Sequence, residues 1–493
     1  MSNKNLKQKT VSGMIWTALQ KYSTMFIQFI SGIILARLLT PYDYGCIGML
    51  MIFMVLAEAF IDGGFGSALI QKKRPTQEDY STIFFWNLGM AVLLYVILYF
   101  SAPAIARFYD IPLLSDVLRV QGVILFIYAF NIVQRNQLRK KMNFKTLSVV
   151  TIFTSVTALT VTIVMAYQGF GVWALVAQHI LTAAIPAIAF WFYVKWHPQL
   201  VFSWQSLREL FSFGFYMFLT HMLNQFGRQI QGLLIGKFYN PATMGYYSRA
   251  QSTERLASLS ISQVLTQVTY PLYAELQDDK SRLSDTIRKL TISLSYITFP
   301  LMFILLLCAK PLFVLLYSER WIDSVPYFQF LCLSGLAYCL QGVNNHSIAA
   351  IGKSKVMFKW TVFKRMVGIT LLFCSIYFYG MKGLLICLVF TTWFSYFVNI
   401  CLVSKYIGYT WTRQLADIFP ILIVSLVIFT VTYFVGMYAN LSLYLDGILK
   451  FVCFVSVYLI WSFVFKPESY VNIKEIVVSI YHKKGGRVKR LGI

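Results

Sequence analysis

The sequence predicts an all-α polytopic membrane protein of about fourteen transmembrane helices, built as two six-helix lobes in parallel repeat plus two extra C-terminal helices. Three observations carry this expectation: the scarcity of charge, the recurrence of apolar stretches of spanning length, and a one-sided distribution of Lys and Arg. Only 13% of the 493 residues are charged, against 58% hydrophobic and 17% aromatic, and the mean hydropathy is +0.64. A soluble chain carries about 25% charged residues. So few charges cannot cover a water-facing surface of this size, and lipid is the natural solvent for most of the chain.

Apolar runs of about 20 residues, the length that crosses a ~30 Å hydrocarbon core as a helix, recur from end to end. Spans fall near 11–39, 43–69, 80–101, 113–134, 146–167, 171–194, 211–236, 243–269, 290–309, 326–350, 360–379, 383–403, 418–436 and 445–465. The two-residue alternation of a membrane β-barrel is absent. Lys4 to Lys9 precede a long apolar segment that reads as an uncleaved first helix rather than a removable leader.

With the N-terminus placed in the cytoplasm, roughly three quarters of the Lys and Arg fall on the cytoplasmic side, the positive-inside pattern. Lys72, Lys73 and Arg74 belong there, as do Arg135, Arg139, Lys140, Lys141 and Lys145, and the basic tail after Phe465. Arg37, Arg107 and Lys237 are among the few on the opposite side. Both termini are therefore expected in the cytoplasm. The net charge of +24 is accounted for by basic segments at an anionic leaflet, and no nucleic acid is implied.

The organisation is read from an internal repeat at an offset of 200 residues. Phe26/Phe226, Ile30/Ile230, Gly32/Gly232, Pro41/Pro241 and Gly45/Gly245 are identical, and Arg37 stands opposite Lys237. The shared Pro and Gly mark a short turn between two helices, where a helix cannot simply continue. A weaker echo relates Arg139–Lys145 to Lys353–Lys359. The expected divisions are 1–200 for an N-terminal lobe of six spans, 201–405 for a C-terminal lobe of six, 406–465 for two added spans, and 466–493 for a basic cytoplasmic tail. Internal duplication of this kind is a feature of transporters, whose substrate sites lie where the repeats meet.

No extramembrane segment is long enough for a soluble catalytic domain, and no nucleophile elbow, phosphate-binding loop or metal-ligand spacing is present, so an enzyme is not expected. The eight cysteines all fall inside spans and read as small packing residues. No cofactor or metal is expected, and in the absence of a nucleotide site any energy source is the substrate gradient or a proton or Na⁺ gradient.

Charged groups at membrane depth cost about 2.5–3.5 kcal/mol each on insertion scales, which makes them candidate functional residues. Lys21 lies in span 1, with Gln28 two turns on. In span 7, His221, Asn224, Gln225 and Arg228 share one face, and the repeat maps Lys21 onto His221 and Gln28 onto Arg228. Span 8 adds Gln251 and Arg255. These residues are the candidates for a wet cationic cavity that takes an anionic lipid head group, since a guanidinium forms paired charge-assisted hydrogen bonds with phosphate oxygens. Glu58 and Asp62, one turn apart in span 2, either bind a coupling ion or pair with Lys21 or Arg255 as a bridge between lobes. Arg249 either joins the cavity or snorkels to the interface. His179, His346, Gln341, Asn344 and Asn345 read as hydrogen-bonded packing residues.

Leu35-Ala36-Arg37-Leu38-Leu39-Thr40-Pro41-Tyr42-Asp43-Tyr44-Gly45, Asp62-Gly63-Gly64-Phe65-Gly66-Ser67-Ala68-Leu69-Ile70-Gln71 and Gly169-Phe170-Gly171-Val172-Trp173-Ala174-Leu175-Val176-Ala177-Gln178 resemble the polysaccharide transporter family. This is the Wzx-type, colanic-acid and teichuronic-acid exporter-like branch of the multidrug/oligosaccharidyl-lipid/polysaccharide exporter superfamily. Gly63 departs from the pattern, where a bulkier apolar residue is expected. The resemblance implies alternating access that moves undecaprenyl-diphosphate-linked oligosaccharide from the cytoplasmic to the periplasmic leaflet. The implied partners are that lipid, the surrounding membrane lipids, and a polysaccharide polymerase with its chain-length machinery. A cation-coupled multidrug antiporter of the same superfamily and a non-transporting assembly scaffold are the alternatives; the excess of basic over acidic groups at depth weighs against the antiporter.

Overall fold

The computed structural model describes residues 3–472 and 474, and among them all regular structure is helical. The elements are α1 (Asn3–Leu38), α2 (Pro41–Asp62), α3 (Phe65–Gln71), α4 (Gln77–Tyr109), α5 (Leu113–Gln121), α6 (Ile124–Lys140), α7 (Phe144–Tyr167), α8 (Val172–Tyr193), α9 (Trp204–Phe238) and α10 (Pro241–Glu275). They continue as α11 (Lys280–Leu307), α12 (Ala309–Tyr317), a 3₁₀ turn (Glu319–Trp321), α13 (Ser324–Ala350), α14 (Ser354–Ile407), α15 (Trp411–Ala439) and α16 (Leu443–Phe465). The expected spans fall on helices, span 2 crossing the break between α2 and α3 and span 4 that between α5 and α6, with spans 11 and 12 forming the two halves of α14. Gly380 (φ 61°, ψ −145°) breaks α14 into those halves, a backbone conformation that only glycine adopts without strain. Of the expected basic tail, residue 473 and those beyond 474 lie outside the described residues.

Among the described residues, nine helical stretches are long and apolar enough to cross a membrane on those grounds alone. Helices α1, α9, α10 and α13 are of similar length but carry the polar residues singled out in the sequence, from Lys21 to Asn345. Large apolar side chains such as Phe192, Tyr377 and Phe465 stay exposed on outer faces, as lipid contact requires.

Capping chemistry sets the helix starts. Thr40 and Asp43 form a reciprocal capping box ahead of α2, with the Thr40 N–H donating to Asp43 Oδ2 at 2.9 Å and Pro41 at the first helical position. In the repeat-related place, Asn240 Oδ1 accepts from the Thr243 N–H at 2.8 Å and Pro241 opens α10. The two turns also touch reciprocally. A Cβ added at Gly45 would stand 1.8 Å from the Pro241 carbonyl oxygen, and one at Gly245 would stand 1.8 Å from that of Pro41. The shared glycines of the repeat are thus explained by two backbones crossing with no room for a side chain.

The chain separates into two compact units, residues 1–248 and 249–493, with the division inside α10. It falls beyond the repeat boundary near 200 because α9 and the first turns of α10 pack on α2, at Gly64/Gly214 and Gly48/Met244 as well as at the paired turns. In the first unit the core gathers Phe65, Ile83, Phe84, Ile132, Phe190 and Trp196. The α8–α9 connector is fixed to the start of α4, where Ser81 and Thr82 hydroxyls accept from the Gln199 and Ser203 amides at 3.1 and 3.0 Å. In the second unit, Arg288 of α11 donates to Asp417 of α15 and to Glu468 just beyond α16, with contacts of 2.7–3.2 Å. That cluster ties three helices at one end.

Two expectations change. Span 4 was placed at 113–134, but after a break at Gly122 and Val123 the helix α6 runs on to Lys140. Hydropathy falls at the first basic cluster, whereas backbone hydrogen bonding continues until Met142 (φ 56°) leaves the helical region. Arg135 and Arg139 are therefore helical, not part of a loop. Gly63 (φ +51°) and Gly64 (φ +78°) both lie in the left-handed region and break α2 from α3, so the apolar residue expected at 63 would be strained.

Candidate functional site

A cavity of about 260 Å³ lies within the first unit, lined by α2, α3, α6 and α9. It sits at the end where Lys72–Arg74 and Arg139–Lys141 gather. From α2 it receives Glu58 and Asp62, one turn apart; from α3, Gly66, Ser67 and Ile70; from α9, His221 and Gln225. The richest contribution is one face of α6, where Tyr128, Asn131, Arg135 and Arg139 recur every three to four residues.

The two carboxylates differ in their surroundings. Asp62 lies beside the start of α3, where a Cβ at Gly66 would stand 2.9 Å from its Oδ1 and 3.0 Å from Asn136 Nδ2. Glu58 lies one turn earlier on α2, partly buried on the cavity lining. Among the described residues, no ion pair within 4.0 Å involves Glu58, Asp62, Arg135 or Arg139.

Two lysines hold the walls. Lys140 Nζ donates to the Leu69 carbonyl at 2.8 Å and also to that of Lys72, satisfying the C-terminal carbonyls of α3. Lys72 Nζ bridges Asp79 of α4 at 3.0 Å and Glu209 of α9 at 3.1 Å. At the other end of α3, a Cβ at Gly64 would lie 2.2 Å from the Gly214 carbonyl oxygen, so α3 and α9 meet backbone to backbone.

Of the residues singled out in the sequence, Glu58, Asp62, His221 and Gln225 line this cavity. Arg228 is one turn from it and hydrogen-bonds Gln225 Oε1. Asn224 is partly buried and does not line it; on α1, Lys21 is partly buried and Gln28 exposed, and neither lines it. Among the described residues no ion pair within 4.0 Å joins Lys21 to Glu58 or Asp62. Gln251 (partly buried) and Arg255 (exposed) belong to the second unit.

Sequence reasoning missed Tyr128, Asn131, Arg135 and Arg139 because the arginines were assigned to a loop. Their spacing over 128–139 was the available signal. It also missed Glu254, which is 7% exposed, with Oε1 lacking a hydrogen-bond partner and lying 2.8 Å from where a Gly335 Cβ would be. Arg249 is buried and does not snorkel to the interface. It is 6% exposed, with its guanidinium 5.1 Å from the Tyr317 ring centroid and 5.3 Å from that of Trp321, held by cation–π attraction inside the second unit.

The fold and the polar groups at helix depth define a class, the multi-pass helical membrane transporter fold. The lipid II flippase MurJ in an inward closed conformation has TM-score 0.77 to this chain at 14% identity, covering 92% of this chain and 98% of that one. An inward-facing multidrug resistance MATE family transporter of the MOP superfamily has TM-score 0.63 at 16% identity, covering 80% and 98%. The family model for polysaccharide biosynthesis proteins matches residues 34–326, and the chain belongs to that family of Wzx-type polysaccharide exporters. Among its relatives, the teichuronic acid biosynthesis protein TuaB of Bacillus subtilis is 27% identical over 358 residues, 72% of this chain and 74% of the relative. The lipopolysaccharide biosynthesis protein WzxC of Escherichia coli is 21% identical over 438 residues, 88% of each. The succinoglycan biosynthesis transport protein ExoT of Rhizobium meliloti is 24% identical over 419 residues, 84% of this chain and 82% of the relative.

Proposed function

We propose that the chain is a flippase that carries an undecaprenyl-diphosphate-linked oligosaccharide repeat unit from the cytoplasmic to the periplasmic leaflet, for export of a surface polysaccharide. The observation that carries this reading is the cavity at the basic end of the first unit, where two arginines, a histidine and several amides open into a helix bundle whose outer faces are apolar. A sugar diphosphate cannot shed its hydration into hydrocarbon without replacement hydrogen bonds, and such a lining supplies them. The names of the relatives, in teichuronic acid, lipopolysaccharide and succinoglycan synthesis, support the substrate class. In this reading the protein sits in the bacterial inner membrane with both termini in the cytoplasm and does no covalent chemistry. It works by alternating access, coupled to a proton or Na⁺ gradient or driven by the substrate gradient. It hands its cargo to a polysaccharide polymerase and chain-length machinery.

One observation favours a second reading. Glu58 and Asp62 share the cavity, and acidic groups suit a cation-coupled multidrug antiporter. The two facing arginines oppose cationic cargo, and Asp62 lies beside the start of α3.

The test is complementation of a strain that lacks its polysaccharide flippase. Wild type is expected to restore surface polysaccharide, and Arg135→Ala and Arg139→Ala, which line the cavity, to abolish it while reaching the membrane at wild-type levels. Rescue by both variants would remove those arginines from the substrate path and leave the flippase reading intact. Drug resistance conferred without restored polysaccharide would favour the antiporter.

A further inference from the structure

We propose that the cavity of the first unit grips its ligand at the junction of phosphate and sugar, with Arg135 and Arg139 taking diphosphate oxygens and Glu58 accepting a hydroxyl of the adjoining sugar. The inference rests on the flippase reading and assigns parts of its cargo to particular side chains. Its starting point is the mixture of groups on one lining. The exposed guanidinium groups of Arg135 and Arg139 and the partly buried carboxylates of Glu58 and Asp62 line one cavity of about 260 Å³, and among the described residues no ion pair within 4.0 Å involves any of them.

Their separation follows from the walls. Asp62 lies against Gly66 at the start of α3, Lys140 caps α3, and Lys72 fixes α3 and α4 to α9. With α2 and α6 so braced, Glu58 presents an acceptor from one wall and the arginines present donors from the other. Among the described residues the buried Asn131 Oδ1 has no hydrogen-bond partner, which makes it a second acceptor on the lining for a sugar hydroxyl. A purely anionic ligand would meet Glu58 as a repelling charge, and a purely cationic one would meet two arginines. A glycosyl diphosphate satisfies both walls, because phosphate oxygens accept from guanidinium and sugar hydroxyls donate to carboxylate. The cavity is smaller than the roughly 300–1,000 Å³ of a drug-sized site. That fits a phosphate pair and the near edge of one sugar rather than a whole repeat unit.

The test titrates the purified full-length protein in detergent with farnesyl diphosphate and with four glycosyl farnesyl diphosphates, carrying glucose, galactose, N-acetylglucosamine or N-acetylgalactosamine. Each variant is first checked for a wild-type melting temperature and a single size-exclusion peak. Arg135→Gln and Arg139→Gln should each weaken every probe about 10- to 100-fold, the worth of one charge-assisted hydrogen bond. Glu58→Leu, which removes the acceptor, should bring the affinity ratio of the preferred glycosylated probe to farnesyl diphosphate down to one. Arg74→Gln, an exposed charge outside the cavity, should bind as wild type does. Unchanged affinity in both arginine variants, or an equal loss in Arg74→Gln, would overturn the phosphate assignment alone. A preserved ratio in Glu58→Leu, or no sugar preference among the four probes in wild type, would overturn the role of Glu58. Wild type that binds no probe would overturn this inference, while complementation decides the flippase reading on its own.

Discussion

Cells that depend on this chain should lose their surface polysaccharide when Arg135 and Arg139 are both replaced by glutamine, while the protein stays folded and in the membrane. This is the larger of the two main expected effects. Each arginine is exposed and lines the cavity from α6, and among the described residues neither forms an ion pair within 4.0 Å, so neither replacement breaks one. The structural cost should be small, since surface-like substitutions usually fall within about 0.5 kcal/mol. The functional cost should be large, because a charge-assisted hydrogen bond contributes about 1.5–3 kcal/mol and two are lost together. A drop in surface polysaccharide of at least tenfold, at wild-type abundance in membrane fractions, is the expected outcome of lectin or antibody staining. Normal staining would exclude α6 from the substrate path.

The second large effect concerns the paired turns. Gly45→Leu or Gly245→Leu places a side chain where a Cβ alone would stand 1.8 Å from a carbonyl oxygen of the facing turn. Inserting atoms into a packed core costs about 1–3 kcal/mol when side chains can yield. Here the obstacle is backbone in a capped first turn, so the cost should reach the top of that range or exceed it. Gly89→Leu is the control, since nothing lies within 4 Å of its added Cβ and a mid-helix glycine gives up about 0.5–1 kcal/mol of helix stability. Melting curves of detergent-extracted protein should show a marked fall for each turn variant and none for the control. Equal melting temperatures would mean that the two turns do not meet.

The membrane fold was legible because it rests on composition and on periods that survive any packing detail. Spans of about 20 apolar residues and the Pro41/Pro241 and Gly45/Gly245 pairs each have a direct physical cause, and each reappears as a helix or a close backbone crossing. The site was legible only in part. Glu58, Asp62, His221 and Gln225 stood out as polar residues in apolar runs, whereas Arg135 and Arg139 were hidden by their neighbours Lys140 and Lys141. A hydropathy profile cannot tell a helix that continues past its apolar run from a basic loop. Arg249 was left between two alternatives for a related reason: its cage is made by Tyr317 and Trp321, far along the chain, and nothing near Arg249 in sequence announces them. The unusual Gly63 was visible as a departure, but its cause, a left-handed break between α2 and α3, needs backbone angles.

The most direct measurement asks which leaflet holds the lipid-linked oligosaccharide in the native host, with the chain deleted and then restored. Exposure of the oligosaccharide to a membrane-impermeant oxidant on the periplasmic face, present with the chain and absent without it, is the result expected of a flippase. Equal periplasmic exposure in both strains, or cytoplasmic retention despite normal levels of the restored protein, would contradict the account.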